Sequence, residues 1–292
     1  MLRIFISGAS GLIGSNCLKH FTEKGCEVMG SYFSFKTPDT FFFDTLDISN
    51  PANFDLLAYK PDVIVHCGAL THVDHCESHI EESYLKTVTS TENLLQIADS
   101  LNAKFVYIST DYVFDGKGGP YNENDATNPL SVYAKHKLEA EQLVVDANED
   151  NLVLRVTNVY GNETRNKNFI ARIITQCLQK ETLNLKLPFD QYATPVNAID
   201  VARAMYLLLK DNQSGIFHIA STDFVNRVEL ALRVLKYFPD ADYNLECIST
   251  EMLKQPALRP LMAGLVKTKF SNLYPDFLFS NVDDYVQAFL KK

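Results

Sequence analysis

Short apolar runs alternate with amphipathic stretches through the first half of this chain. Residues 2–7, 26–33, 61–66, 105–110 and 151–156 are rich in Val, Ile, Leu and Phe. Each run is too short for a helix and fits a strand buried on both faces of a parallel sheet. Between them, 12–24, 80–100 and 133–147 read as helices. This order predicts an α/β fold, a doubly wound parallel sheet of Rossmann type. From about Thr157 the rhythm loosens. Helices are predicted over 168–180, 197–209 and 228–238, with extended pieces at 183–187 and 215–220. Ser280 is placed to cap a last helix reaching Leu290. The expected division is a first domain over 1–156, to which 197–220 returns, and a smaller mixed C-terminal lobe made of 157–196 and 221–292.

The first strand runs into Gly8-Ala9-Ser10-Gly11-Leu12-Ile13-Gly14 and then a helix. Strand, glycine turn and helix stand in the order a dinucleotide site needs. The glycines let a pyrophosphate approach the backbone, and the helix N-terminus offers free N–H groups at the positive end of its dipole. The spacing is Gly-x-x-Gly-x-x-Gly, which taken alone also fits a structural βα turn. At the end of the second strand an acid would hold a ribose 2′-hydroxyl. The segment Ser31-Tyr32-Phe33-Ser34-Phe35-Lys36-Thr37 has no acid and one cation. That points to NADP(H), with Ser34 or Lys36 near the 2′-phosphate, and leaves NAD(H) as the alternative. Asp47 and Ile48 are expected at the adenine edge. The third run ends in Gly68-Ala69-Leu70-Thr71, against which a ring or ribose can lie.

The fourth run ends in Ser109-Thr110-Asp111 and delivers hydroxyls into solvent. Tyr133 and Lys137 follow, four residues apart on a predicted helix and so on one face. A phenol titrates near ~10, and a nearby cation favours its phenolate. A Tyr–Lys pair can therefore donate and accept a proton near neutral pH. Tyr-x-x-x-Lys alone is common on solvated helix faces. Its place adds weight: the glycine turn, 68–71, 109–111 and 157–158 all follow strand ends, and such sheets bind ligands at that edge.

A net charge of −9 with no basic block argues against a nucleic-acid partner. No apolar run approaches the roughly 20 residues of a membrane span, and the first is too short for a signal peptide. A cytoplasmic protein with no membrane partner is expected. Six scattered cysteines without a Cys-x-x-Cys pair read as reduced thiols, several of them buried. His66, Cys67, His72, His75, Cys76 and His79 form the densest cluster of such residues. Zinc sites draw paired ligands from two separated segments, so no metal is expected, and 72–79 is read as a polar loop and first helical turn.

These residues resemble the extended short-chain dehydrogenase/reductase superfamily, and within it the dTDP-4-dehydrorhamnose reductase family, over nearly the whole length. The resemblance is carried by Thr71-His72-Val73-Asp74 with Glu77, and by Ser109-Thr110-Asp111-Tyr112-Val113-Phe114-Asp115-Gly116. Tyr121, Glu123, Asp125 and Pro129 add to it, as do Tyr133-Ala134-Lys135-His136-Lys137 with Glu141, Asn168-Phe169, Asp190-Gln191, Pro195 and Arg259-Pro260. It implies reduction at C4 of a nucleotide-linked 4-keto-6-deoxy sugar. Tyr133 would donate the proton, Lys137 would bind the nicotinamide ribose and lower the Tyr133 pKa, Thr110 would hold the reacting oxygen, and Asp111 would touch the sugar. The cofactor would contact Gly11, Leu12, Ile13, Asp47, Ile48 and Ala69-Leu70-Thr71.

The chain departs from that pattern at the substrate wall. Asn158 stands where the family carries Trp, and the chain has no Trp. Thr87 replaces an Asn, and Ala193 and Val196 replace Gly and Thr. Asn158 and Arg259 are expected to face a sugar-nucleotide substrate, and the resemblance implies a homodimer. Two other readings stand beside the reductase. One is a non-catalytic NADP-binding regulatory subunit resembling the methionine adenosyltransferase β subunit, since the Tyr–Lys pair also holds the cofactor ribose. The other is a sugar-nucleotide epimerase or dehydratase of the same superfamily, against which stands Tyr112, where dehydratases carry an acid.

Overall fold

The structure is a computed structural model that describes residues 1–291. In chain order its first half comprises β1 (Arg3–Ser7), α1 (Leu12–Glu23), β2 (Glu27–Tyr32), β3 (Thr40–Phe42), α2 (Leu56–Tyr59), β4 (Val63–His66), α3 (Val73–Ser78), α4 (Ile80–Tyr84), α5 (Ser90–Leu101), β5 (Lys104–Thr110), α6 (Val132–Ala147) and β6 (Leu152–Val156). The second half comprises α7 (Phe169–Gln179), β7 (Leu183–Pro188), β8 (Tyr192–Ala193), α8 (Ala198–Lys210), β9 (Gly215–Ile219), β10 (Val225–Asn226), α9 (Arg227–Leu235), β11 (Tyr243–Ile248), α10 (Thr268–Leu273) and α11 (Val282–Leu290).

Seven strands form one parallel sheet in the order β3-β2-β1-β4-β5-β6-β9. Its central strands are apolar because helices cover both faces. Ile4 and Ile6 of β1 point into one core with Phe21 of α1 and Val201, Met205 and Leu208 of α8. Phe5 points the other way, into a core with Leu94 and Ile97 of α5 and Ala140 and Val144 of α6. Fully burying side chains of this size stabilises by about 1.5–3 kcal/mol each. The strand order reverses between β1 and β4, and that switch point opens a crevice at the carboxyl edge. β9 pairs with β6, Leu152 opposite Gly215, so this late segment lies at the sheet's edge.

A second core is built from α7, α9, α11 and β7, around Ile170, Ile173, Ile174, Leu230, Val234, Val282 and Val286. Two small sheets border it, β7 with β11 in parallel and β8 with β10 antiparallel. β11 is almost wholly exposed or half-buried, which is why no apolar run announced it.

Two expectations need correction. The helix predicted over 80–100 is interrupted by a π-helical turn, Leu85–Thr89. The Thr91 hydroxyl donates to the Thr87 carbonyl at 2.6 Å beside this wide turn. Ser280 does not cap α11. Its amide and hydroxyl both donate to Asp200 Oδ2, and Asn281 caps the helix in a reciprocal capping box with Asp284. The cysteines are free thiols, with Cys17, Cys76 and Cys177 buried. Among the described residues no helix is long and apolar enough to cross a membrane.

Candidate active site

The turn after β1 has the close packing a phosphate cradle requires. Gly8 sits in the left-handed region at φ 74°, and a Cβ there would stand 3.0 Å from the Gly68 amide. The turns after β1 and β4 therefore touch. At Gly14 a Cβ would lie 2.4 Å from the Gly8 carbonyl and 2.7 Å from Ala9 Cα, so only glycine lets α1 start this close to β1. Gly11 occupies the N-cap of α1 and supplies no side-chain acceptor. The first-turn N–H groups, those of Leu12 and Ile13 among them, are left for an external anion.

Three segments expected to border the adenosine lie along the crevice. Ser34 and Lys36 are exposed just beyond β2, with Phe35 between them. Asp47 and Ile48 are exposed in the loop after β3, and Asp47 Oδ1 accepts from the Ser49 hydroxyl at 2.7 Å. Ala69 and Leu70 are half-buried and Thr71 exposed after β4. His66 ties β1 and the loop after β3 to the end of β4, a role the sequence did not suggest. Its Nδ1 lies 3.0 Å from Ser7 Oγ and its Nε2 3.4 Å from Ser90 Oγ, which donates to Thr45 Oγ1 at 2.7 Å. Burial pushes its pKa down to about 3, with Lys137 adding to the effect, so the imidazole is a neutral strut.

Thr110, Tyr133 and Lys137 come from β5 and α6. The Thr110 hydroxyl accepts from the Tyr112 amide and donates to Asp111 Oδ1, both at 3.2 Å. Ser131 caps α6 through the Ala134 amide, and Glu77 accepts from the Val132 amide at 2.7 Å. These bonds fix the first turn, which carries Tyr133 edge-on to Tyr112, ring centroids 6.0 Å apart. Lys137 is 4% exposed. Its Nζ donates to the Ile108 carbonyl at 2.5 Å and lies 4.0 Å from the Tyr107 ring centroid. Burial depresses the ammonium to about 7, with Glu141 and Cys67 opposing.

The expected lowering of Tyr133 by Lys137 is not met in this structure. Burial pushes the phenol above its ordinary value, and the chief opposing influence is the Thr110 hydroxyl. The cation is engaged by the Ile108 carbonyl and the Tyr107 face instead.

The substrate side also differs from expectation. Asp111 is 2% exposed and accepts from the Thr157 hydroxyl at 2.6 Å, while burial raises its pKa. Its carboxyl is thus engaged within the protein. Arg259, expected to face substrate, pairs with Asp74 at 2.9 Å and donates to the Ala257 carbonyl at 2.7 Å. Asn158 adopts φ 39° and accepts from Arg227 Nη2 at 2.8 Å. The Arg227 guanidinium lies 5.4 Å from the Phe169 ring centroid. Arg227 stands in no motif, and its one sequence signal is that a cation at the start of a helix opposes the dipole and so points to a role other than helix stability.

Known proteins show the same organisation. The family model described as RmlD substrate binding domain matches residues 2–290. The methionine adenosyltransferase 2 subunit beta of Xenopus laevis is 32% identical over 256 residues, 85% of this chain and 76% of that protein. A probable low-salt glycan biosynthesis reductase, Agl14 of Haloferax volcanii, is 32% identical over 262 residues, 88% of this chain and 87% of that one. The solved structure of a dTDP-4-dehydrorhamnose reductase from Clostridium acetobutylicum superposes with a TM-score of 0.84 at 28% identity, covering 99% of this chain and 100% of its own. Matched from its second residue almost to its end, the chain belongs to the RmlD substrate binding domain family.

Proposed function

We propose that the chain is an NADP(H)-dependent reductase of a nucleotide-linked keto sugar, of the 4-keto-6-deoxy type. The observation that carries this reading is the uncapped glycine turn of β1–α1 sharing one sheet edge with Thr110, Tyr133 and Lys137. When bound, the nicotinamide cofactor supplies the hydride. Gly8, Gly11 and Gly14 would admit its pyrophosphate, Gly68 to Thr71 would flank the ribose, and Lys137 would hold the nicotinamide ribose. Tyr133 would give its proton to the carbonyl oxygen as that oxygen gains charge, with Thr110 bonded to the same atom. A phenol raised by burial stays protonated at neutral pH, as a donor must.

The lobe of 157–196 and 221–292 would take the sugar nucleotide. A cleft of about 540 Å³ lies there, lined by Phe169, Arg172, Gln176 and Lys186 among others. Phe169 joins it to Arg227. Guanidinium groups suit a diphosphate, which they can grip with two parallel hydrogen bonds.

The test is NADPH oxidation with a panel of dTDP- and UDP-linked 4-keto sugars. Turnover is expected, lost in Tyr133→Phe while NADPH still binds. Tight NADPH binding with no turnover on any sugar, together with association with a methionine adenosyltransferase catalytic subunit, would overturn the reductase in favour of a regulatory subunit. The 32% identity to methionine adenosyltransferase 2 subunit beta is the observation that favours this second reading.

A further inference from the structure

The loop of residues 161–168, which follows β6, is a folded unit. Glu163 Oε1 accepts from the amides of Lys167 and Asn168 at 2.7 and 2.6 Å and from Asn168 Nδ2 at 3.0 Å. Asn168 Nδ2 also donates to the Gly161 carbonyl at 2.9 Å. Asn166 stands at φ 48° and donates to Thr175 at 3.0 Å. Asn16 of α1 reaches across to the Asn162 carbonyl at 3.1 Å, which tethers the loop to the nucleotide-binding half.

Arg165 lies at the crest of this loop. Its guanidinium is 5.3 Å from the centroid of Phe35, the residue between Ser34 and Lys36 at the end of β2. Among the described residues no carboxylate pairs with Arg165 within 4.0 Å. The one acid of the loop, Glu163, is taken up by loop amides. Stacking on an aromatic face fixes the guanidinium plane and leaves its N–H edge for an oxyanion. The end of β2 is where this fold reads the adenosine ribose: an acid there selects the 2′-hydroxyl, and a nearby Arg accommodates a 2′-phosphate. Here the acid is missing, and a distant loop supplies the Arg.

We infer that Arg165, carried across from the loop after β6, closes on the 2′-phosphate of the cofactor together with Ser34 and Lys36, and so sets the preference for NADP(H) over NAD(H). This rests on the reading that the chain binds a nicotinamide dinucleotide. It adds that the phosphate is gripped partly from outside the β1–α1–β2 unit, by a loop continuous with Asn168, the cap of α7.

The test is equilibrium titration without any sugar, by nucleotide fluorescence or calorimetry, on the unaltered chain, Arg165→Ala and Arg165→Lys. Loss of one charge-assisted hydrogen bond weakens binding about tenfold. Arg165→Ala is expected to lose that much affinity for NADPH and for 2′,5′-ADP, with NADH and 5′-AMP unchanged, and Arg165→Lys is expected to recover part of it. Equal weakening of NADPH and NADH would overturn the inference by making Arg165 a loop support alone, as would no change in either. Failure of the unaltered chain to bind either dinucleotide would overturn the cofactor reading as well.

Discussion

Arg227 Nη2 donates to the side-chain oxygen of Asn158 at 2.8 Å. This bond joins the start of α9 to the turn after β6, where Asn158 holds a left-handed φ of 39°. Asn tolerates that conformation better than most residues with a Cβ. Asn158→Ala is therefore expected to destabilise by about 1–3 kcal/mol, the cost of taking an acceptor from a partly buried cation. Urea unfolding measures it, and an unchanged midpoint would mean that Arg227 finds another acceptor. Arg227→Met is expected to raise the KM for a sugar nucleotide while NADPH affinity stays constant.

Lys137 predicts a pH dependence of stability. Its ammonium is depressed from 10.5 to about 7 by burial. Between these values the unfolded chain holds a proton that the folded chain does not, so stability rises with pH across that window. Below about 7 both states are protonated and the burial cost is felt in full. Relative to Lys137→Met, the unaltered chain should gain on the order of a few kcal/mol from pH 7 to 10. Denaturant midpoints at the two pH values test this without any ligand, and parallel behaviour of the two proteins would refute it.

Gly14→Ala should damage the cradle directly. The added methyl would stand 2.4 Å from the Gly8 carbonyl, backbone that cannot rotate away. The expected loss is about 1–3 kcal/mol of stability, with dinucleotide binding weakened beyond detection by titration. Gly118→Ala is the control, because a Cβ there meets nothing within 4 Å. Equal nucleotide affinity in both variants would remove the glycine turn from the site.

The sheet was legible because its strands are buried on both faces. Runs such as Ile4-Phe5-Ile6 and Val63-Ile64-Val65 cannot be solvated, and the Gly8-to-Gly14 turn follows the first of them. β3 and β11 escaped notice because edge and exposed strands lack that signature. The positions of Thr110, Tyr133 and Lys137 at a strand end and on one helix face were legible because strand-end position and helical spacing are local properties. The engagement of Asp111 by Thr157, of Arg259 by Asp74 and of Lys137 by the Ile108 carbonyl was not. Thr157 lies 46 residues and Asp74 185 residues from their partners, and side-chain pairing at such separation depends on the assembled fold. The contacts of Arg165 with Phe35 and of Arg227 with Asn158 were hidden for the same reason, since those partners are likewise distant in the chain.

Glu141 and Arg155 form a buried pair, each side chain 3% exposed, with contacts of 2.5 and 3.1 Å. Arg155 Nη1 also lies 3.3 Å from His218 Nε2. Burial and this cation push His218 down to about 3, so it stays neutral and cannot replace either partner. Glu141→Gln would strand the Arg155 charge, at an expected cost of about 3–5 kcal/mol. Glu141→Leu with Arg155→Met removes both charges and should cost far less than the sum of the single changes. A double-mutant cycle reads the coupling, and additive losses would refute a tight pair. The pair also reaches the site. Glu141 lies one helical turn beyond Lys137 and raises its pKa. Glu141→Gln should therefore depress Lys137 below its present value and extend the window in which stability rises with pH to below 7. Arg155→Met leaves the Glu141 carboxylate in place and should not extend it. Comparing the pH slopes of these two variants separates the influence of Glu141 on Lys137 from its role in holding β6 against α6.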